Sequence, residues 1–483
     1  MPKNKESFIS EKMEIPARIQ LPRDTEVTPE LIKSLVKIHE KGLERYKTLQ
    51  YYYDGGAIIL KRQKPSHKSN NRLVFPYPSY IVDLLLGMHL GKPVSYFVAD
   101  EYKEIFSKVQ DILDLNDEQD ENAELGKIAG IKGRAYEIVY VDEEANIAFN
   151  EVQPENIILV FDDKIKPEPW LGIYITDYVT AENIGKDTKD KRYTVYTDDT
   201  ITDYISEGGE LKVEEAPRQN QFGEVPIVEF LNNNETIGDF ERVISLIDAM
   251  NLSQSDTSND LEEFTDAILL LYGILDTDDE DIRQLLEDKV MLLDSSEGSK
   301  QGAEWLIKNT NDTTLENHKT RLDRAIFKFA KVPDLSDENF AGNTSGEAMK
   351  FKLFGTDQVI AQKQNKFKTG LQTRLRLILK GLNILTGDSF DYRDIAISFF
   401  DNKPYNELDN IQAVKTALDA GLSKQYALSK LKDLDDIAKE MQREEEEASA
   451  YADVFNFDKE VEENDQAKGL DKNSDKVSED SQE

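Results

Sequence analysis

The most constraining feature of this chain is a seam of apolar residues. Leu353, Ile360, Phe367, Leu371 and Ile378 follow one another at intervals of seven, seven, four and seven. Those intervals return to one face of an α-helix. They predict a single very long helix from about Glu347 to Leu385, and a seam of that length needs a partner surface. Directly before it lies "NFAGNTSG", a run of small and polar residues from Asn339 to Gly346. A small loop in front of a long lysine-bearing helix is unusual in a chain whose formal charge is −36.

That charge, with a pI near 4.6, argues against a conventional DNA-binding protein. Such proteins neutralise phosphates with Lys and Arg. It does not argue against a conduit through which DNA slides. The 483 residues suggest about three domains or one elaborate one. Hydrophobic residues make up 39%, enough for a core. Cysteine is absent, which excludes disulfides and thiolate metal sites and fits a reducing compartment. The start "MPKNKESFISEK" has no apolar core of a secretory signal. Apolar runs such as "YIVDLLLGMHL" are too short to span a bilayer.

Along the chain, Thr28 and Pro29 open a helix that ends near Gly55. "AIILKRQK" is read as a strand. A helix through "YPSYIVDLLLGMHL" stops at Gly91 and Pro93, before another strand. Glu121–Lys132 is read as helical, and the runs from "RAYEIVYV" to "VPIVEFLN" as an antiparallel meander. Asp239 is placed as the cap of a helix burying Phe240, Val243, Ile244 and Ile247. "AILLLYGI", "KVMLLD" and "AEWLIK" are read as strands. A second helix from Thr314 carries Leu315, Leu322, Ile326 and Phe329 on one stripe and ends before Pro333. After the long helix come a strand at "DIAISFF" and helices from Asn406 to about Ala448. The polar end, 450–483, is read as disordered.

Several constellations fail as sites. "GMHLGKP" is one residue short of a phosphate loop, and Pro93 stands where a magnesium-binding hydroxyl belongs. His39, His67, His89 and His318 form no metal motif. Asp276, Asp278, Glu280 and Glu287 have calcium-loop offsets, but Asp281 occupies the glycine position. No nucleophile motif is present. Two basic stripes remain: Lys352, Lys363, Lys366 and Arg374 on the long helix, and Arg321, Arg324, Lys328 and Lys331 on the preceding one. Two readings stand for both. They contact phosphate, or they pair with the many carboxylates.

In order and wording, several strings resemble the portal proteins of long-tailed phages (siphoviruses) of Gram-positive hosts. They are "YYYDGGAII", "NRLVFPYPSYIVDLLLGMHLGKPVSY", "IAGIKGRAYEIVYVDEE", "VPIVEFLNNNETIGDFERVISLIDAMN", "SNDLEEFTDAILLLYG" and "DENFAGNTSGEAMKFKLFG". The resemblance covers roughly residues 28 to 400.

It implies an α+β portal fold assembled as a ring, usually a dodecamer: a mixed α/β wing, a two-helix stem, a small α/β clip, a long kinked helix and a helical crown. By position, 1–27 would be an N-terminal arm and 28–238 the wing, with 386–404 returning to it. Residues 239–266 and 313–332 would be the stem helices, with the clip at 267–312 between them. Then follow the tunnel loop 333–345, the long helix 346–385, the crown 405–449 and the acidic tail 450–483.

The implied function is non-enzymatic. The ring would sit at one capsid vertex of the virion, after assembly in the host cytoplasm, and double-stranded DNA would be packaged and ejected through it. Implied partners are further copies, the terminase large subunit that hydrolyses ATP, a head–tail adaptor, and the major capsid and scaffolding proteins; no cofactor and no membrane is implied. Asn339, Gly342, Asn343, Thr344 and Ser345 would contact DNA from the tunnel loop, with Lys331, Lys350 and Lys352 as further phosphate contacts. Two alternatives remain: another capsid or head–tail protein without a channel, or a metal-dependent DNA-processing enzyme.

Overall fold

A computed structural model describes residues 9–11, 13–66, 68–179, 190–264, 268–272, 290–293, 302–306, 312–335, 346–386, 390–400 and 407–422. Contacts divide the chain into two units, 1–402 and 403–483.

Helix α1 (Pro29–Tyr53) starts as its sequence predicts: Thr28 Oγ1 accepts from the Leu31 N–H at 3.3 Å, with Pro29 in the first turn. The "AIILKRQK" segment is not a strand. Ile58–Lys61 is a 3₁₀ turn, because Ala57 and Ile59 tuck into the core while the Ile58 N–H donates to the Tyr52 hydroxyl. Helix α2 (Tyr77–Leu90) stops at Gly91 and leads to strand β2 (Ser95–Phe97). Gly87 therefore lies inside a helix, and the segment makes no phosphate loop.

Helix α3 (Lys103–Leu115), which the sequence reading lacks, buries Phe106, Val109 and Leu113. Helix α4 (Glu118–Lys132) starts three residues earlier than expected. Its C-cap, Gly133, has φ +89° and lies so close to Thr236 that an added Cβ would sit 2.0 Å from that carbonyl oxygen.

The expected meander is split. Strands β3 (Arg134–Val141), β4 (Ile147–Val152) and β11 (Ile227–Leu231) form an antiparallel sheet in the order β11-β3-β4. Strands β5 (Ile157–Phe161), β6 (Pro169–Asp177), β7 (Lys191–Thr197) and β8 (Thr200–Glu207) run as a true meander in a second sheet. There β1 (Ile19–Gln20) adds parallel to β5, while β9 (Glu210–Val213) and β10 (Arg218–Gln219) pair with β8. Ile138, Tyr136 and Ile227 from the first sheet meet Ile157, Leu159 and Phe161 from the second.

Phe240, Val243, Ile244 and Ile247 are buried as expected, but only the last two lie in helix α5 (Ile244–Phe264); a 3₁₀ turn, Glu241–Val243, precedes it. Asp239 does not cap it: its carboxylate accepts from Lys363 Nζ at 2.6 Å and from Asn232 Nδ2 at 2.8 Å. The polar middle of α5 is buried for a reason. Asn251, Ser255 and Asn259, one turn apart, accept from the N–H groups of Phe75, Leu73 and Asn71 at 2.9, 2.9 and 2.6 Å. An extended segment is thus zipped along a helix by side chains in place of a partner strand.

Helix α6 (Asp312–Ala330) buries Ile326, and Phe329 is exposed in place of joining the expected stripe. Helix α7 (Gly346–Thr386) is the long helix, 41 residues or about 60 Å. All five seam residues are buried. The surface that covers them is in the same chain. Leu353 and Ile360 pack with α1, α2, α5 and α6, whereas Phe367, Leu371 and Ile378 pack with α3, α4 and the β11-β3-β4 sheet. Gly370 permits this closeness, since an added Cβ would stand 2.4 Å from the Phe230 ring. The seam therefore gives no reason to invoke a second copy.

After α7, β15 (Ala396–Ser398) pairs antiparallel with β2. Strands β12 (Ile268–Tyr272), β13 (Val290–Leu293) and β14 (Gly302–Leu306) occur where read and form a small sheet, β12 parallel to β13 and antiparallel to β14. In the second unit, α8 (Glu407–Asp419) is helical. The calcium-like run 276–287 and the tail lie outside the described residues.

Candidate nucleic-acid interface

Helix α6 has two opposite faces. Ile326, Ala330 and the half-buried Leu322 face the core. At 100° per residue, Arg321, Arg324, Lys328 and Lys331 share an arc of about 80° centred opposite Ile326, and they span about 15 Å of axis. All four are exposed. Arg321 Nε reaches only the Asn317 carbonyl oxygen of its own helix, at 3.2 Å. Lys328 Nζ stands 5.9 Å from the Phe329 ring centre. Among the described residues none of the four has a carboxylate partner. Two carboxylates of α6 are engaged elsewhere: Glu316 holds the buried Lys319 at 2.9 Å, and Asp323 accepts from the Tyr77 hydroxyl at 2.6 Å. Burial first, and then the hydrogen bond to Asp323, raise the Tyr77 pKa, which keeps that phenol a donor.

The α7 stripe is different. Lys363 is buried against Asp239. Arg374 is fully buried, with Nε 2.9 and 3.0 Å from the Glu137 oxygens and Nη1 2.8 Å from Asn122 Oδ1. These two cations are structural, and the stripe does not survive as a phosphate-binding unit. The two stripes that look alike in sequence thus differ: two α7 cations are paired with carboxylates, and the α6 cations have no such partner among the described residues.

Lys331 ends α6 with φ +58°, a left-handed stop that costs a non-glycine residue about 1 kcal/mol. Its carbonyl accepts from Thr356 Oγ1 of α7 at 2.9 Å. The Val332 N–H donates to the Phe327 carbonyl at 3.2 Å. Beyond, the Tyr80 hydroxyl donates to the Pro333 carbonyl and accepts from the Leu335 N–H, both at 3.4 Å. Tyr80 is itself packed edge-on to Phe327, with ring centres 5.7 Å apart. The chain therefore leaves α6 along a path set by α2 and α7. Asn339, Gly342, Asn343, Thr344 and Ser345 lie outside the described residues. Lys352 is exposed near the start of α7; Lys350 is in the same helix, with its side chain outside the description.

Sequence reasoning named the α6 cations as a stripe but missed Tyr80 and Thr356, whose roles depend on contacts hundreds of residues or a whole helix away. Among the described residues no three His, Asp or Glu side chains gather as metal ligands.

Residues 32–453 match the family model "Phage portal protein, SPP1 Gp6-like". The chain is 23% identical over 454 residues to the portal protein of Bacillus phage SPP1, covering 88% of this chain and 87% of that one. Among solved structures, it is similar to a chain in the neck of an empty gene transfer agent particle, with TM-score 0.40, 14% identity and coverage of 74% and 89%. It is also similar to a chain in the virion of a native gene transfer agent particle, with TM-score 0.42, 12% identity and coverage of 80% and 92%. With a family model spanning most of its length, the chain belongs to the SPP1 Gp6-like phage portal proteins.

Proposed function

We propose that copies of this chain close into a ring, a dodecamer, at one capsid vertex, and that double-stranded DNA passes through it during packaging and ejection. The wing is 28–238 with 386–404; the stem is α5 and α6; the clip is 267–312; and residues 333–345 are the tunnel loop. The ring is not an enzyme. ATP is hydrolysed by a docked terminase, and a head–tail adaptor docks on the ring.

The observation that carries this reading is the α6 outward face. In a chain of net charge −36, four aligned cations have no carboxylate partner among the described residues. Such a face fits a polyanion. The surrounding acidic excess keeps contact weak, as a moving duplex requires. The pattern repeats once per subunit, so a weak contact is multiplied around the ring.

The test is the triple substitution Arg321→Glu, Arg324→Glu, Lys328→Glu. All three residues are exposed, so rings should form normally in negative-stain images. Packaged DNA per particle should fall several-fold. Packaging equal to wild type, with rings intact, sinks the assignment of α6 to the DNA path.

A further inference from the structure

From Phe351 to Thr369 the side of α7 turned away from the core is almost free of charge. Phe351 is 78% and Phe354 62% exposed. Gly355, Gln358, Ala361, Gln362, Asn365 and Thr369 complete that exposed face. Of the exposed residues in this described stretch Lys352 alone is charged, about 100° round the helix from Phe351. Asp357, Lys363, Lys366 and Lys368 are buried or half-buried. In a chain that is 32% charged, a run of about five helical turns presenting two bare phenylalanines and amides is a departure. Gly355 adds to it. An added Cβ there would meet nothing within 4 Å, so the glycine is not needed for packing inside the chain. In a helix interior it costs stability, and it lets a second backbone come close.

We propose that this face seats an adjacent copy of the same chain, with Phe351 and Phe354 as its anchors. The proposal rests on the ring reading above. Charge selects the occupant. A nucleic acid would require a cluster of exposed cations, and this face has only Lys352 at its margin, with Lys366 and Lys368 half-buried at its edges. Two copies at −36 repel where their acidic surfaces approach, so a face almost free of charge is one on which they meet without that cost. Interface cores are depleted of charge and enriched in aromatic anchors, as this face is. The contact lies just after the segment 336–345, so the neighbour helps to hold the start of α7 where each tunnel loop ends.

The experiment uses the full chain. A benzophenone amino acid replaces Phe351, and the irradiated rings are analysed for covalent dimers. In parallel, Phe351→Ser with Phe354→Ser is compared with wild type by sedimentation and circular dichroism. The expected result is cross-linking between chains, and a double variant that keeps its helical spectrum but sediments as monomers or small oligomers where wild type is all rings. Cross-links confined to one chain, as when its own residues 423–483 cover the face, overturn the inference. Normal rings from the double variant overturn it too. Both of these leave the portal reading intact. A wild-type chain that forms no ring at all overturns that reading, and this one with it.

Discussion

The guanidinium of Arg374 lies against the carboxylate of Glu137, with no part of either side chain exposed to solvent. The two residues come from α7 and β3 and are 237 positions apart. Phe149 and Phe230 cover the guanidinium, with ring centres at 4.5 and 5.4 Å from its central carbon. Glu118 and Asn122 both accept from its Nη1, and Tyr96 donates to Glu118. Desolvation pushes the Glu137 carboxyl above its ordinary value, against the opposing pull of Arg374. The network is satisfied as a unit, and removing one member leaves a charge stranded.

Arg374→Met should therefore cost about 3–5 kcal/mol, because Glu137 keeps its burial and loses its counter-ion. Glu137→Gln combined with Arg374→Met should recover part of that loss. Urea denaturation of the single and double variants measures both. A single variant as stable as wild type would show that the pair contributes nothing.

Asn251→Leu tests the side-chain zipper on α5. The substitution deprives the Phe75 N–H of its acceptor while adding apolar volume at a fully buried position. A loss of about 1–3 kcal/mol is expected from the unsatisfied donor. Slower amide exchange at Phe75, or no change there, would contradict this; the expectation is a faster rate confined to residues 71–75.

His89 predicts a pH response. It is buried between Phe367 and Phe399, and neither ring nitrogen has a hydrogen-bond partner among the described residues. Burial, with a smaller contribution from Lys363, lowers its pKa from 6.5 to about 3. Above pH 6.5 the imidazole is neutral in both folded and unfolded states and contributes no slope. Below it the unfolded chain takes up a proton that the folded chain refuses, so stability falls by about 1.4 kcal/mol per pH unit towards pH 3. His89→Leu removes this slope. Wild type and variant should melt alike near pH 7.5, with the variant higher at pH 5. Parallel melting curves across that range would refute the assignment.

The proposal that 333–345 is the tunnel loop is open to a direct test. On that proposal, Asn343→Asp with Thr344→Asp places like charge opposite phosphate in every subunit. Rings and their incorporation into procapsids should be normal, while packaged genome per particle falls. Loss of rings, or unchanged packaging, would remove the loop from the DNA path.

The α7 seam was legible because five residues at fixed intervals describe one helix face without reference to anything distant. The 3₁₀ turn at Ile58–Lys61 was not, because a short apolar run suits a strand or a buried turn equally, and only the Tyr52 hydroxyl decides. Helix α3 was missed although Phe106, Val109 and Leu113 have helical spacing. It lies in an acidic stretch that reads as surface. The candidate site was half visible. Periodicity placed Arg321, Arg324 and Lys328 in line, just as it placed Lys363 and Arg374. Which line meets a carboxylate depends on Asp239 and Glu137, and no spacing within either helix carries that information.

α7 has a mechanical consequence. Its first half is bedded among helices and its second half against the β11-β3-β4 sheet, while Lys363 and Arg374 are each locked to a carboxylate on a different element. A rod held this way can neither slide nor turn about its axis without breaking a buried ion pair. Drag applied at Gly346 is therefore not dissipated within the helix. It arrives as thrust and torque on the sheet, and at Thr386 about 60 Å away, so if 333–345 is the tunnel loop proposed above, the body behind it is strained as one piece when the cargo pulls.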